Sequence, residues 1–196
     1  VHINEVLADH RAVVRTSVAI VSQVQADDLA LPTPCAEWTL ADLLAHMTVQ
    51  HRGFAAAARG RGGDLATWQV RPAGVADYTD AAEDVLAAFA EAGVPDREFE
   101  LPEFGSAARF PAVQAISFHL IDYVVHGWDV ARCLGLDYGL EPELAELALG
   151  IALAVPDGDS RLRPGAAFKP ALADTDGNPL NRVLTALGRS PEWPKS

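Results

Sequence analysis

FHLIDYVVHGWDVARCLG, residues 118–135, sets His119, Asp122 and His126 three and four residues apart. On a helix these spacings return to one face, so two imidazoles and a carboxylate line a single stripe. Phe118, Leu120, Ile121, Val124, Val125, Trp128 and Val130 surround them, which predicts a largely buried helix. Ionisable side chains there need partners. A cation supplies one if another helix adds a ligand, and LADLLAHM, residues 40–47, offers His46.

Upstream, Ile3, Val6, Leu7, Val13, Val14, Val18, Val21 and Val24 recur at helical spacing and predict a first helix over residues 3–24. His10 and Ser17 sit on its apolar stripe. A buried, hydrogen-bonded histidine is the commoner reading of His10, and contact with a metal or ligand the sharper one. Residues 27–38, with two prolines, read as a loop. Thr39 followed by Asp42 caps a second helix that runs to about Ala58 and contains His46. Gln50, one turn on, faces the same way as His46, whereas His51 is rotated off that face and is expected at the surface or rim.

Gly60, Gly62 and Gly63 end this helix, and an irregular passage past Trp68 leads to a third, opened by Asp77 and Asp80 and stopped by Gly93 and Pro95. Phe99, Leu101 and Phe104 permit a short extended segment before Pro111 leads into the fourth helix. Beyond Gly135 the pattern predicts a fifth helix over residues 142–155, an extended piece over 167–172 and a last helix over 180–187. Asp174, Asp176, Gly177 and Asn178 form a turn signal between them. That acidic run lacks the spacing and terminal Glu of a calcium loop.

A chain of 196 residues is long enough for one domain with its own core, here a bundle over residues 1–136 and an extension over 137–196. A formal charge of -12 argues against nucleic acid or an anionic membrane as partner. No apolar run reaches the roughly 20 residues of a membrane-spanning helix. Cys35 and Cys133 are too few for a disulfide framework, and no leader pattern stands out, so a cytoplasmic protein acting on small molecules, monomeric or homodimeric, is expected.

The expected fold class is all-α, a four-helix bundle whose core opens into a metal pocket, followed by short C-terminal helices. His46, Asp122 and His126 would give two imidazoles and one carboxylate and leave a coordination position free, the pattern of a catalytic site. Zinc, nickel and iron(II) all fit. His119 is either a fourth ligand or a pocket group one turn away. Asp129 either orients an imidazole or pairs with Arg132, and Gln50 is placed to hold a bound water or thiol. Trp38 and Trp128 suit a core or pocket wall, and Cys35 a small buried position.

TPCAEWTLADLLAHM, residues 33–47, and HLIDYVVHGWDVARCLG, residues 119–135, together resemble the two signature segments of the DinB-like superfamily. Within it they are most similar to the metal-binding domain of mycothiol-dependent maleylpyruvate isomerase. NRVLTALGRSPEW, residues 181–193, resembles the closing segment of short actinobacterial members. The resemblance implies a DinB-like bundle with the metal triad at His46, Asp122 and His126, where the isomerase uses Glu at the position of Asp122. It implies a divalent metal, zinc foremost with nickel or iron as alternatives, and a low-molecular-weight thiol as cosubstrate. That thiol would bind the open position, lose its proton and attack an electrophilic substrate, as in an S-transferase or isomerase. A metal-water hydrolase and a non-catalytic binding protein are the competing readings. The isomerase also implies a separate C-terminal domain that contributes an arginine, for which this chain looks too short after its fourth helix.

Overall fold

The computed structural model describes all residues except 1, 36, 164–165, 167, 174–176 and 195–196, and it leaves out the side chain of residue 160. Its helices are α1 (Ile3–Val21), α2 (Leu40–Ala58), α3 (Val75–Phe89), α4 (Ala112–Cys133), α5 (Pro142–Ala154) and α6 (Pro179–Ala186). Strands β1 (Glu98–Glu100) and β2 (Arg109–Pro111) pair antiparallel with Phe99 opposite Phe110. No helix among the described residues is long and apolar enough to cross a membrane.

Side chains at the helix starts fix where each begins. The Thr39 hydroxyl accepts the Asp42 N–H at 3.3 Å while the Asp42 carboxylate accepts the Thr39 N–H at 2.9 Å, so α2 opens as its sequence predicts. Gly74 caps α3 through its N–H to Asp77 Oδ2 at 3.0 Å, so the helix begins at Val75, two residues before the first acid. Asn178 caps α6 by accepting the Asn181 N–H at 3.0 Å, with Pro179 in the first turn. The extended piece expected at 167–172 does not form among the described residues there, because Leu172 hands its N–H to Thr185 O at the end of α6. Asp174 and Asp176 lie outside the described residues.

α1 packs chiefly on α4 and α2 on α3, while α1–α3 and α2–α4 contacts close the bundle. Tyr78, Tyr123, Phe99, Leu40, Leu43, Leu44, Met47 and Ile116 are fully buried at its centre. Each large apolar side chain so buried contributes about 1.5–3 kcal/mol. α2 is enclosed on nearly every side, since Thr48, Val49, His51, Gly53 and Ala55 are buried with its leucines. The rotation that takes His51 off the His46 face therefore carries it into protein instead of water. The expectation of a surface His51 is corrected on this ground.

α5 and α6 pack on one another, and α5 on α4. Their loops are gathered by Arg161, only 4% exposed, whose guanidinium donates to the carbonyls of Val155, Pro156, Lys169 and Ala186 at 2.6–3.2 Å. Just past α6, Gly188 adopts φ +77°, and a Cβ there would meet Lys169 O at 2.6 Å. Only glycine suits that backbone, and the turn it makes sends Arg189 into the core. Arg161→Ala should lower the free energy of unfolding in urea by about 2 kcal/mol or more, since four carbonyls lose a charged donor.

Candidate metal centre

α2 and α4 bring His46, Asp122 and His126 together. His126 Nε2 lies 3.3 Å from Asp122 Oδ1 and His46 Nε2 lies 3.7 Å from Asp122 Oδ2, with one potential ligand atom from each residue within 4.8 Å of the others. The two imidazoles meet edge to face, ring centres 5.0 Å apart. His126 is fully buried, whereas the His46 and Asp122 side chains are 14% and 16% exposed, so the cluster has one open side. Trp38 walls it, its ring centre 4.8 Å from His46, and Phe168 lies 6.3 Å from His126.

Six buried side-chain nitrogens or oxygens among the described residues have no hydrogen-bond partner, and three of them are His46 Nε2, Asp122 Oδ2 and His126 Nε2. Orphaned buried polar atoms are costly, and three aimed at one point share a common remedy in a bound cation. The donor set of two nitrogens and one oxygen fits zinc, nickel or iron.

Electrostatics favour a charged cluster. Burial opposes ionisation of Asp122, but His126 and His46 outweigh it and hold the carboxyl far below its usual range. Burial likewise opposes charge on His126, yet Asp122, Asp129 and Cys35 hold that imidazole well above its ordinary value. His46 is pushed down, chiefly by burial.

Behind His126 stands a second network. Asp129 Oδ2 is 2.9 Å from His126 Nδ1, and Arg189 Nε donates to both oxygens of Asp129 at 2.9 and 3.2 Å. Arg189 also reaches Cys35 Sγ at 2.8 Å, and that thiol lies 3.2 Å from Asp129 Oδ2. A carboxylate on Nδ1 fixes the ring orientation that turns Nε2 toward the triad, where a bound cation would take the place of the Nε2 proton. Asp129 thus pairs with His126 and Arg189, and not with Arg132, which bonds the Pro191 and Trp193 carbonyls and lies over the Trp128 ring. Cys35, His126 and Asp129 form another ligand-like group, but the Arg189 cation already balances it.

The remaining expected residues sit elsewhere. His119 does not join the triad: its Nδ1 faces His10 Nε2 at 2.8 Å and its Nε2 faces His51 Nδ1 at 3.2 Å. Both of its nitrogens are thereby taken, which leaves the second of its two expected roles, a group one turn from the triad, and His10 packs against this ring. Gln50 reaches out to Glu103, its Nε2 3.4 Å from Oε2. Glu103 was not singled out in the sequence. The residue is exposed at its turn, yet the protein crowding its carboxyl, together with the charge of Asp122, pushes it up to about 7. A hollow of about 360 Å³ beside α6, lined by Leu172, Asn181 and Thr185, contains no member of the triad.

A family model described as the mycothiol maleylpyruvate isomerase N-terminal domain matches residues 10–131. The chain belongs to this family. Uncharacterized proteins of Mycobacterium tuberculosis, from strains CDC 1551 / Oshkosh and H37Rv, are each 30% identical to it over 191 residues, covering 94% of this chain and 97% of theirs. A crystal structure of the mycothiol-dependent maleylpyruvate isomerase superposes with a TM-score of 0.67 at 14% identity, over 98% of this chain and 91% of that one. A histidine-to-alanine mutant of that enzyme gives 0.67 at 13% identity, over 97% and 90%. These likenesses establish the DinB-like fold of the isomerase family for this chain. They also correct the expected shortfall after the fourth helix, because the match extends over nearly all of the isomerase.

Two measurements check the electrostatic account. Arg189→Met should cost about 3–5 kcal/mol in urea unfolding by stranding the Asp129 charge, and adding Asp129→Asn should recover most of that loss. For Glu103, a carboxyl held above its unfolded value of about 4.3, toward neutral pH, takes up the extra proton in the native state, with the effect reduced by solvent screening because the residue is exposed. Stability of chelator-treated protein should then decline as pH rises through that interval, and Glu103→Gln should flatten the decline in thermal melts.

Proposed function

We propose that this protein is a metal-dependent enzyme that activates a small thiol of the mycothiol type and adds it to an electrophilic small molecule, as a transferase or an isomerase. The observation that carries the reading is the convergence of three unpartnered ligand atoms, from His46, Asp122 and His126, on one partly open point. Membership of the isomerase family supports a thiol as cosubstrate. The reading treats residues 1–196 as one cytoplasmic domain.

His46, Asp122 and His126 would hold the ion, with zinc first and nickel or iron as alternatives. A divalent ion there supplies a Lewis acid that lowers the pKa of a bound thiol into the neutral range. The rest of the chemistry belongs to the chain. Asp129, held by Arg189, keeps the His126 ring in one orientation and one tautomer. Asp122 lies between the two imidazoles, Oδ1 3.3 Å from His126 Nε2 and Oδ2 3.7 Å from His46 Nε2. Trp38 shields the cluster and offers an apolar face to the electrophile. Glu103, hydrogen-bonded to Gln50 one turn from His46, would be the carboxyl placed to give a proton to the electrophile and to take it back on elimination.

Elemental analysis should find near-stoichiometric zinc, nickel or iron in the purified protein and a loss of it in both His46→Ala and Asp122→Ala. Cobalt- or nickel-loaded protein should change its visible spectrum when a mycothiol-type thiol is added. Metal binding without any spectral response to thiol would overturn the thiol chemistry and leave the metal centre.

A further inference from the structure

Three histidines outside the triad are joined through the core. His10 on α1, His119 on α4 and His51 on α2 are all buried, and their ring nitrogens face one another: His10 Nε2 to His119 Nδ1 at 2.8 Å, then His119 Nε2 to His51 Nδ1 at 3.2 Å. At the outer end, His10 lines a small surface dimple with Leu7, Arg11, Leu86, Phe89 and Ala90. At the inner end, His51 Nε2 is buried without a partner. We propose that His10, His119 and His51 form a proton relay through the bundle, joining the surface dimple to the metal pocket.

The two contacts restrict the protonation pattern. A neutral imidazole has one N–H and one lone pair, so His119 can donate to only one neighbour and must accept from the other. If it donates through Nδ1 to His10, then His51 donates to it through Nδ1, and His10 is left with its own hydrogen on Nδ1. If it donates through Nε2 to His51, all three rings carry their hydrogen on Nε2. The chain therefore exists in two concerted states, all Nδ1–H or all Nε2–H.

Interconversion moves one proton from end to end with no charge left behind. A proton arriving at His51 Nε2 releases the one on His51 Nδ1 to His119 Nε2. His119 then releases its Nδ1 proton to His10 Nε2, and His10 releases its Nδ1 proton toward the dimple. One N–H bond forms and one breaks at each ring. The relay needs neutral rings, and burial supplies them: it pushes His10 down to about 3, with the Arg11 charge adding to the effect, and drives His51 and His119 well below their ordinary values.

The surroundings suit conduction along the chain and little else. Tyr123 stacks on the rings of both His51 and His119, at 4.0 and 4.3 Å, and its hydroxyl is committed to the Met47 carbonyl. Tyr78, 5.1 Å from His51, shares its hydroxyl hydrogen bond with Ser17. Phe54 and Phe89 close the other sides of His119. Asp122 lies one turn beyond His119 on α4 and His51 five residues past His46 on α2, so the inner end stands on the two helices that carry the triad. Use of the path to remove the thiol's proton rests on the proposed function, whereas the path itself does not.

The test is solvent exchange of the His119 ring N–H, followed by nitrogen NMR on histidine-labelled, metal-free protein. Neither His119 nitrogen has an outlet except through a neighbouring ring. The relay predicts exchange of this hydrogen at least about tenfold faster than the backbone amides of Leu120 and Tyr123, a difference of about 1.4 kcal/mol in barrier. Plugging either end with His10→Phe or His51→Phe should bring it down to the amide rate. Exchange at the amide rate in the unmodified protein, a comparison that needs no variant, would overturn the relay. So would fast exchange that persists in a folded plugged variant. A protein that ignores thiols but shows relayed exchange would refute the thiol chemistry alone.

Discussion

The charge of Arg189 on Asp129 is the contact on which the rest of this structure depends. Asp129 is fully buried near the C-terminal end of α4, and a lone carboxylate there would be expelled or protonated. A guanidinium placed by the turn after α6 keeps it ionised, and the ionised Asp129 holds His126 from behind. The tail thus completes the core. Arg161 gathers the loops that lead to it, and Gly188 allows the chain to turn inward at the required point.

Two buried polar systems divide the interior between them. One gathers around Asp122 and Asp129 and is charged. The other, the three imidazoles between α1, α4 and α2, is neutral and threads among aromatic rings. The same helix, α4, feeds both, with His119 in one and His126 in the other, seven residues and about two turns apart. The contrast follows from the neighbours. Carboxylates stabilise imidazolium, and stacked tyrosines and phenylalanines do not.

Much of this was legible in the sequence, because local rules decide it. Capping pairs such as Thr39 with Asp42, helical periodicity and the His46 and 122/126 spacings depend on a few residues at a time, and the helices formed where expected, with α1 and α3 ending about one turn early. The family resemblance carried over to the fold. The misses share a cause. His51 was assigned to the surface because a helical wheel gives an angle and not what lies there, and α3 covers that side of α2. Arg189 stood in plain view within NRVLTALGRSPEW, but its partners lie 60 and 154 residues away. Glu103 sits on a short turn with no periodicity to mark it, and only the approach of that turn to Gln50 gives it a role.

Trp38 ends the loop before α2, its indole in van der Waals range of His46. Whatever occupies the triad therefore sits beside a strong natural fluorophore, and a paramagnetic ion there would darken its emission while a closed-shell ion would not. The pocket wall doubles as an optical gauge of its own contents.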